Sequence, residues 1–307
     1  MSRLSHNDAV IRVAVLLPSL QVGGAERLVL EELACLKDDP RFAFELHLVF
    51  DKGPFFARFA ELNIPVHVWN APHKSVRMLS RYMAIVRHLR KTGCQILHSH
   101  LLDGIGPLVG KLAGASVVAT VHNDVSYGLI EQFVLGRSDL ALGCGEQVVR
   151  NISRFIAPRK IATLNNAIRR PAKQHRHKND VLNRFGIKPG SQLIVSLGRL
   201  TRQKGFDVLI EAFRRVAAEV PEAVLLIGGE GEDQTEIQRL ALASGFGDRI
   251  RLPGLIGDIH ELLAVSDLYV NSSRWEGLPM TLLEAMAHGL PLVATRVGVF
   301  WQPPLAV

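Results

Sequence analysis

Short apolar segments rich in β-branched residues alternate with longer amphipathic segments along most of the chain. In the first half the predicted strands are residues 11–17, 44–50, 65–69, 95–98, 116–121 and 139–143. In the second half they are residues 193–197, 223–227, 249–252, 266–270 and 291–294. Near-continuous apolar strands separated by helices indicate parallel sheets that are covered on both faces. The pattern therefore predicts two doubly wound α/β domains.

One segment interrupts this alternation. Residues 168–180, IRRPAKQHRHKND, contain Pro171, many basic residues and little that could be buried. We therefore predict a first domain over residues 1–168, a linker over 169–180 and a second domain over 181–307. Because ligands of open parallel sheets bind beyond the carboxyl ends of the strands, we expect the loops there to line a cleft between the two domains.

Composition and charge narrow the choice of partner. The 307 residues carry a formal net charge of +7, which favours anionic partners such as nucleotides, nucleic acid or an acidic membrane surface. Aromatic residues make up only 6%, which weakens the case for a base-stacking nucleic-acid binder, and no nucleic acid partner is expected. The three cysteines are far apart and are interpreted as buried apolar residues in a reducing compartment.

The first apolar run is interpreted as a buried strand rather than a signal peptide, because it is short and contains Arg12. No apolar run approaches the roughly 18–20 residues of a membrane span. The prediction is a cytoplasmic protein.

The most informative segment is residues 271–295, NSSRWEGLPMTLLEAMAHGLPLVAT. A short helix is predicted to begin between Glu276 and Glu284, with Pro279 in its first turn and Gly289 at its end. The start of a helix offers free N–H groups and positive dipole character, which suit a phosphate. A carboxylate on each side could hold the hydroxyls of a sugar or a ribose. The segment therefore predicts a nucleotide-sugar site.

Two other loops follow predicted strands. Gly23 and Gly24 would leave room for a ligand beside the backbone, although an ordinary glycine turn explains them equally well. Arg199 and Lys204 follow a strand of the second domain and could neutralise a diphosphate. Two solvated loop cations are the usual interpretation of such a pair, but the helix-opening segment 276–284 in the same half, which suits the same ligand, weakens it. The segment GGEGED at 228–233 lacks the third glycine of a dinucleotide fingerprint, which disfavours a dehydrogenase.

Three histidines also follow strands. His98 and His100 form a His-x-His pair that could be half of a metal site, but without a convincing third ligand His100 is interpreted as a polar residue that faces the cleft. His122 could reach a sugar hydroxyl or stabilise charge, and a structural histidine is an equally good interpretation. Because the chain contains no Asp-x-Asp motif, no metal cofactor is expected.

Residues 74–91 contain six Lys or Arg and no acidic residue. They predict an amphipathic helix, with an apolar stripe of Val76, Leu79, Tyr82, Met83, Val86 and Leu89. The opposite face carries Lys74, Arg77, Arg81 and His88. A solvated surface helix is the favoured interpretation, and the alternative is electrostatic docking on anionic lipid headgroups.

Taken together, these motifs resemble those of glycosyltransferase family 4, whose members are retaining, metal-independent enzymes with the GT-B fold. The motifs that carry the resemblance are GGAE, HSH, GRLTRQKG, GEGED and EGLPMTLLEAMAHGLP, at 23–26, 98–100, 198–205, 229–233 and 276–291. The last of them is highly specific. The resemblance implies two Rossmann-like domains that face a cleft, with the acceptor side in the first domain and the donor site in the second.

The resemblance also implies roles for individual residues. Gly24 would lie against the donor diphosphate, Arg199 and Lys204 would bind it, Glu276 would contact the donor sugar, and Glu284 would hold the ribose. The remaining donor contacts would come from the segment at 228–232 near the nucleobase and from amides near the start of the helix, at Gly229, Gly231, Gly277, Leu278 and Met280. His122 would lie beside the reacting carbon.

The implied function is transfer of a sugar from a nucleoside diphosphate to a growing surface glycan or glycolipid, such as a lipopolysaccharide, at the cytoplasmic face of a membrane. One departure from the family is the ending VFWQPPLAV, which replaces the expected continuation after residue 298 and exposes Phe300 and Trp301. It motivates the hypothesis of a truncated or frameshifted second domain. The alternatives are therefore a non-catalytic remnant, a nucleotide-sugar 2-epimerase of the same fold and, on charge alone, a nucleic-acid binder.

Overall fold

The computed structural model describes residues 10–72, 77–169, 171 and 177–297. The chain divides into two compact units, residues 1–166 and 167–307. Each unit contains one parallel sheet with helices between its strands, so the predicted α/β alternation is confirmed in both.

The sheet of unit 1 has seven parallel strands in the order β3-β2-β1-β4-β5-β6-β7. They are β1 Ile11–Leu17, β2 Phe42–Leu48, β3 Val66–Val68, β4 Ile96–His100, β5 Ser116–Val121, β6 Leu140–Gly143 and β7 Ile161–Thr163. Six of them agree with the prediction to within a few residues. Strand β7 was not predicted, because it is three residues long, lies at the sheet edge and has two exposed side chains, which leaves almost no hydrophobic pattern.

The helices of unit 1 cover both faces of this sheet. They are α1 Gly24–Leu36, α2 Phe56–Ala60, α3 Arg77–Thr92, α4 Gly106–Ala113, α5 Leu129–Leu135 and α6 Glu146–Ile152. Alternate residues of β1 feed two separate cores: Ala14 and Leu16 pack with residues of α3 and α4, whereas Val15 and Leu17 pack with residues of α1. This alternation follows from the two-residue repeat of a strand and explains why the whole strand is apolar.

Unit 2 repeats the arrangement with five strands in the order β10-β9-β8-β11-β12. The strands are β8 Gln192–Leu197, β9 Ala223–Gly228, β10 Ile250–Arg251, β11 Leu268–Asn271 and β12 Leu292–Ala294. The helices are α7 Lys178–Arg184, α8 Phe206–Glu219, α9 Gln234–Ala243, α10 Ile259–Val265 and α11 Met280–Ala287. One core contains buried residues of α7, α10 and α11, and the other contains those of α8 and α9.

Strand order reverses once in each sheet. In unit 1 the chain moves outward from β1 to β3 and then crosses to β4 on the other side of β1; in unit 2 it moves from β8 to β10 and then crosses to β11. At such a reversal the loops after the two neighbouring strands diverge to opposite faces and leave a crevice at the carboxyl edge. The β1/β4 and β8/β11 edges are therefore the places where the fold itself offers a binding site.

Three expectations about local structure are corrected. Residues 178–180, predicted as the end of the linker, form the first turn of α7, because Val181 and Leu182 are buried in the core of unit 2. In α3 the predicted stripe residue Leu79 is 65% exposed, whereas Ile85 is buried. Cys35 is exposed, although Cys94 and Cys144 are buried as expected.

Two further expectations lie outside the described residues. The first three residues of the predicted basic helix, 74–76, belong to a segment that the structure does not describe, and so does the atypical ending from residue 298, with Phe300 and Trp301. Among the helices that are described, none combines the length and the apolar character that crossing a bilayer requires.

Candidate functional site

The site predicted from residues 271–295 lies at the strand reversal of unit 2. Strands β8 and β11 are neighbours and parallel, so the loops that follow them, 198–205 and 272–279, leave the same edge of the sheet. Helix α8 begins directly after the first loop and α11 directly after the second. Two helix starts, each with free N–H groups and positive dipole character, therefore follow these loops.

Close backbone contacts hold the two loops together. Gly205 has a φ of +61°, and a Cβ atom at this position would overlap the carbonyl oxygen of Ser272. The Ser272 hydroxyl donates to the carbonyl of Lys204 at 2.8 Å, and the N–H of Arg274 donates to the carbonyl of Gln203 at 2.7 Å. A glycine is needed here because only glycine combines a positive φ with such a close approach.

This contact brings Lys204 and Glu276 together. The Lys204 ammonium forms an ion pair with Oε1 of Glu276, and the Ser273 hydroxyl donates to the same oxygen at 2.6 Å. Glu276 is buried, so its charge depends on these two partners. Both contacts fall on Oε1, and within the described part of the chain no hydrogen bond to Oε2 is found. That oxygen remains an acceptor for a ligand.

The second carboxylate, Glu284, lies in the second turn of α11 and is also buried. It lies close to Tyr269, whose hydroxyl donates to Oγ1 of Thr281 at 2.8 Å. Burial raises the pKa of Tyr269, and the charges of Glu284 and Glu276 raise it further. Both predicted carboxylates therefore lie within electrostatic range of the same hydroxyl.

The start of α11 differs in detail from the prediction. Pro279 is the N-cap residue with extended backbone (φ −70°, ψ 123°), not a first-turn residue, and the helix begins at Met280. It ends at Ala287, two residues before Gly289, whose φ is +72°. Gly277 and Met280 are buried, and the N–H groups of these two residues donate no hydrogen bond to any described backbone group. Leu278, between them, is half-buried.

Gly229 and Gly231 bring the loop after β9 against the loop after β8. Gly229 has a φ of +142°, and a Cβ atom there would overlap the carbonyl oxygen of Gly198; a Cβ at Gly231 would overlap that of Leu200. These glycines therefore have a packing role whatever they bind. Arg199, between the two contacts, is exposed, and its side chain takes part in no hydrogen bond or ion pair with the described residues.

In unit 1 the predicted residues gather near the β1/β4 reversal. Gly24 is the exposed first residue of α1, in the segment that follows β1, and Gly23 is its N-cap. His98 and His100 are the third and fifth residues of β4. His122 follows the neighbouring strand β5. Oγ1 of Thr120 lies 2.7 Å from Nε2 of His98, and Nε2 of His122 lies 3.0 Å from Nδ1 of His100.

Two expectations about these histidines change. His100 is fully buried and does not face a cleft. Burial lowers the pKa of His98 to about 4 and, together with repulsion from His98, that of His122 to about 3; the pKa of His100 lies well below its usual value for the same reasons. All three rings are neutral at pH 7, so His122 can hydrogen-bond a hydroxyl but cannot stabilise negative charge as a cation.

Two acidic residues were not predicted from the sequence, Glu32 and Asp103. Carboxylate and ring atoms of Glu32, His98 and His100 lie within 4.8 Å of one another, so a third candidate ligand does exist beside the His-x-His pair. Burial raises the pKa of Glu32 to about 7 and that of Asp103 to about 6. The signal for Glu32 was present, since it lies on α1 one position before the buried Leu33.

The tight loop contact generates a prediction about stability. Gly205→Ala should lower the free energy of unfolding by about 1–3 kcal/mol more than Gly190→Ala does, as measured by urea unfolding. The reason is that it adds an overlap with Ser272 to the cost of a positive φ. Gly190 is the matched control, since its φ is +86° and a Cβ there would meet nothing within 4 Å. Equal losses in the two variants would contradict this role for the contact.

The low pKa of His122 generates a second prediction. The ordinary pKa is 6.5 and the folded value is about 3, so below about pH 6.5 the unfolded chain takes up a proton that the folded chain does not. As the pH falls from 7.5 to 5, His122 should therefore lower the free energy of unfolding of the wild type by about 1–2 kcal/mol. The variant His122→Gln should lack this loss. Urea unfolding at both pH values measures the difference.

The control for the His122 prediction is His177→Gln, since His177 is exposed. That variant should keep the pH dependence of the wild type. If His122→Gln also kept it, His122 would not be buried in its neutral form.

Two family models match consecutive parts of the chain. The model described as "Glycosyltransferase Family 4" matches residues 22–170, and the model described as "Glycosyl transferases group 1" matches residues 177–301. The division between the two matches falls within the linker predicted at 169–180.

Two curated relatives illustrate the similarity. N-acetyl-alpha-D-glucosaminyl L-malate synthase of Bacillus anthracis is 27% identical over 206 residues, which are 67% of this chain and 54% of that enzyme. UDP-Gal:alpha-D-GlcNAc-diphosphoundecaprenol alpha-1,3-galactosyltransferase of Escherichia coli is 24% identical over 322 residues, 96% of this chain and 81% of that enzyme. The chain thus spans about half the length of the first relative.

Among solved structures, Anabaena Alr3699/HepE in complex with UDP and glucose matches with a TM-score of 0.81 and 19% identity, over 94% of this chain and 82% of that chain. This likeness concerns the fold alone. The two family matches together span most of the sequence, and the chain belongs to glycosyltransferase family 4 with the GT-B fold.

Proposed function

We propose that this protein transfers a sugar from a nucleoside diphosphate donor to a hydroxyl of a glycan or glycolipid, with retention of configuration and without a catalytic metal. The observation that carries the proposal is the Lys204–Glu276 ion pair at the strand reversal of unit 2, between the starts of α8 and α11.

The donor diphosphate would bind where positive charge and free donors meet. Arg199 is exposed and Lys204 is partly exposed, so both can reach an anion beside the loop after β8. The backbone N–H groups of Gly277 and Met280 add donors that need no reorganisation. Such fixed charges and dipoles stabilise the charge that develops on a departing diphosphate.

The two carboxylates would hold the sugar parts of the donor. Glu284 would accept hydrogen bonds from the ribose hydroxyls, and Oε2 of Glu276 would accept one from the donor sugar. Because Oε1 of Glu276 is already engaged by Lys204 and Ser273, the carboxylate is fixed in orientation before the donor binds. Preorganisation of this kind lowers the entropic cost of binding.

In the proposed step the acceptor hydroxyl oxygen forms a bond to the anomeric carbon on the face from which the diphosphate leaves. The bond between the anomeric carbon and the phosphate oxygen breaks, and the hydroxyl proton passes to that phosphate oxygen. No protein side chain has to act as general base. The role of the site is then positioning and charge stabilisation.

The residues of unit 1 keep the roles that the family resemblance suggests. Gly24 would approach the diphosphate, and His122 would hydrogen-bond the donor sugar as a neutral ring. The HepE complex is described with UDP, and the name of the E. coli relative includes UDP-Gal, so UDP is the first nucleotide to test.

Thermal unfolding with UDP, GDP and ADP, each with and without magnesium, tests the donor site. A ligand that binds only the folded chain raises the melting temperature, by about 5 °C at a concentration about 100 times its Kd. One nucleotide should produce this rise, equally with and without magnesium. Arg199→Ala and Lys204→Met should each weaken its binding by about 10-fold or more.

Arg214→Ala is the control, since Arg214 is an exposed cation of α8 whose described partner is Glu211 on the same helix. It should bind nucleotide like the wild type. A cooperative melt that no nucleotide shifts would contradict the proposal and favour a non-catalytic remnant. Where a donor is identified, the anomeric configuration of the transfer product, read by NMR, checks retention.

We also propose that unit 1 docks on an anionic membrane. Helix α4 contacts both α3 and α5. Arg81 and Arg87 of α3 are exposed. Leu129, Ile130 and Phe133 of α5 are 85%, 76% and 60% exposed. Basic side chains on α3 and exposed apolar side chains on α5, two helices that both contact α4, fit a lipid interface, which takes charge at its surface and apolar groups below it. The exposed face of α5 adds insertion to the purely electrostatic attraction that the sequence suggested.

Cosedimentation with phosphatidylglycerol-containing vesicles tests this docking. Binding should exceed that to pure phosphatidylcholine vesicles, and Phe133→Ser and Leu129→Ser should each reduce it by about 10-fold. Leu242→Ser is the control, since Leu242 is 78% exposed on α9 of unit 2. Equal binding by all three variants, or none by the wild type, would favour a small soluble acceptor, as the name of the B. anthracis relative describes for that enzyme.

A further inference from the structure

A second group of histidines lies at the β2–β3 edge of the sheet of unit 1, on the opposite side of β1 from β4. Glu45 and His47 are two residues apart on β2, His67 lies on the edge strand β3, and His88 lies on α3. One possible ligand atom from each of the four side chains lies within 4.8 Å of the others. None of the four side chains takes part in the donor binding or sugar transfer proposed above. His88, expected on the polar face of α3, instead lies against Glu45.

Two distances around Glu45 are compatible with a metal-binding shell. Oε2 of Glu45 lies 3.3 Å from Nε2 of His67 and 3.2 Å from Nε2 of His88. Ligand atoms at about 2.0–2.2 Å from a tetrahedral zinc ion are about 3.4 Å apart. Small movements of these side chains would therefore let one carboxylate oxygen and two imidazole nitrogens share a single ion.

His47 supports this arrangement rather than completing it. The indole N–H of Trp69 donates to Nδ1 of His47 at 3.1 Å, so in the neutral ring the proton lies on Nε2. Nε2 is buried and lies 3.2 Å from Oε1 of Glu45, yet it makes no hydrogen bond with the described residues. A buried N–H donor without an acceptor is costly, and a water bound to an ion could accept a hydrogen bond from it.

We propose that Glu45, His67 and His88 bind a zinc ion in unit 1, with a water in the fourth position that accepts a hydrogen bond from His47. Two imidazoles and one carboxylate form a recurrent zinc ligand set, and hard oxygen-seeking cations such as Mg²⁺ would not favour it. The ion would be a structural partner of unit 1 and takes no part in the sugar transfer proposed above.

The site is open to an incoming ion. The His67 and His88 side chains are 33% and 25% exposed, so the group lies at the protein surface. The other candidate group, Glu32, His98 and His100, is less suitable. In that group, Nε2 of His98 is hydrogen-bonded with Thr120, and Nδ1 of His100 is hydrogen-bonded with His122. The accessible group is therefore the better zinc site.

Zinc would link the paired strands β2 and β3 to helix α3. Strand β3 has three residues and lies at the edge of the sheet, where it pairs with β2 alone. Ligands from β2, β3 and α3 would fasten this edge to the helix that packs behind it. Because zinc would bind the folded state and not the unfolded chain, it would stabilise unit 1 by mass action.

The test is zinc binding by the purified, untagged 307-residue chain, measured by competition with a chromogenic chelator. Wild type should bind one zinc per chain at this site, and its melting temperature should rise by about 5 °C at zinc about 100 times the Kd. His67→Gln and His88→Gln should each weaken zinc binding by about 100-fold and abolish the rise.

Two controls locate the ion. His260→Gln changes a member of a histidine pair in unit 2, where Nδ1 of His260 lies 3.1 Å from Nε2 of His288, and it should bind zinc like the wild type. Glu32→Gln removes the other candidate group and should also leave binding intact. With chelator present, the His67 and His88 variants should melt near the wild-type temperature, because both side chains are partly exposed.

The proposal is overturned if the wild type takes up no zinc, or if His67→Gln and His88→Gln bind it unchanged. Zinc binding that is lost in Glu32→Gln alone would also overturn it and assign the ion to the other group. Because zinc uptake is measured directly, these outcomes do not depend on whether the chain binds a nucleotide.

Discussion

The approach of two backbone segments at Gly205 and Ser272 is the constraint on which the site of unit 2 depends. Without a Cβ at position 205, the loop after β8 lies directly on the loop after β11, and this places Lys204 against Glu276. A buried carboxylate that loses its cation is strongly destabilising. The close loop contact positions the ion pair, and the ion pair in turn stabilises the loop contact. Backbone packing and electrostatics therefore favour the same arrangement.

The sequence predicted most of the fold, because the strands of both sheets are buried on two faces and form continuous apolar runs. It failed where burial is partial. Strand β7 has only one residue that is not exposed, so its pattern is too weak to read. Helix α3 was recognised, but Leu79 was placed in the apolar stripe and Ile85 was left out, since periodicity fixes the width of a stripe less well than its existence.

The candidate sites show the same limit. Lys204 and Glu276 could be proposed separately from their loops, yet their pairing needed the neighbouring positions of β8 and β11. The zinc group was missed because its members come from two strands and a helix. Its one local signal was Glu45 and His47, which lie two residues apart on a strand and so share a face. Side chains that converge only through tertiary packing leave no spacing rule in the sequence.

The pairing of Lys204 also bears on how the proposed enzyme would turn over. Glu276 already compensates the Lys204 charge, whereas Arg199 and Arg202 of the same loop have no counter-ion among the described residues. A diphosphate would then be held less firmly than if Lys204 were also uncompensated. Release of the nucleoside diphosphate often limits the rate of such catalysts. In the proposed reaction, a carboxylate beside the lysine would thus weaken product binding and speed product release.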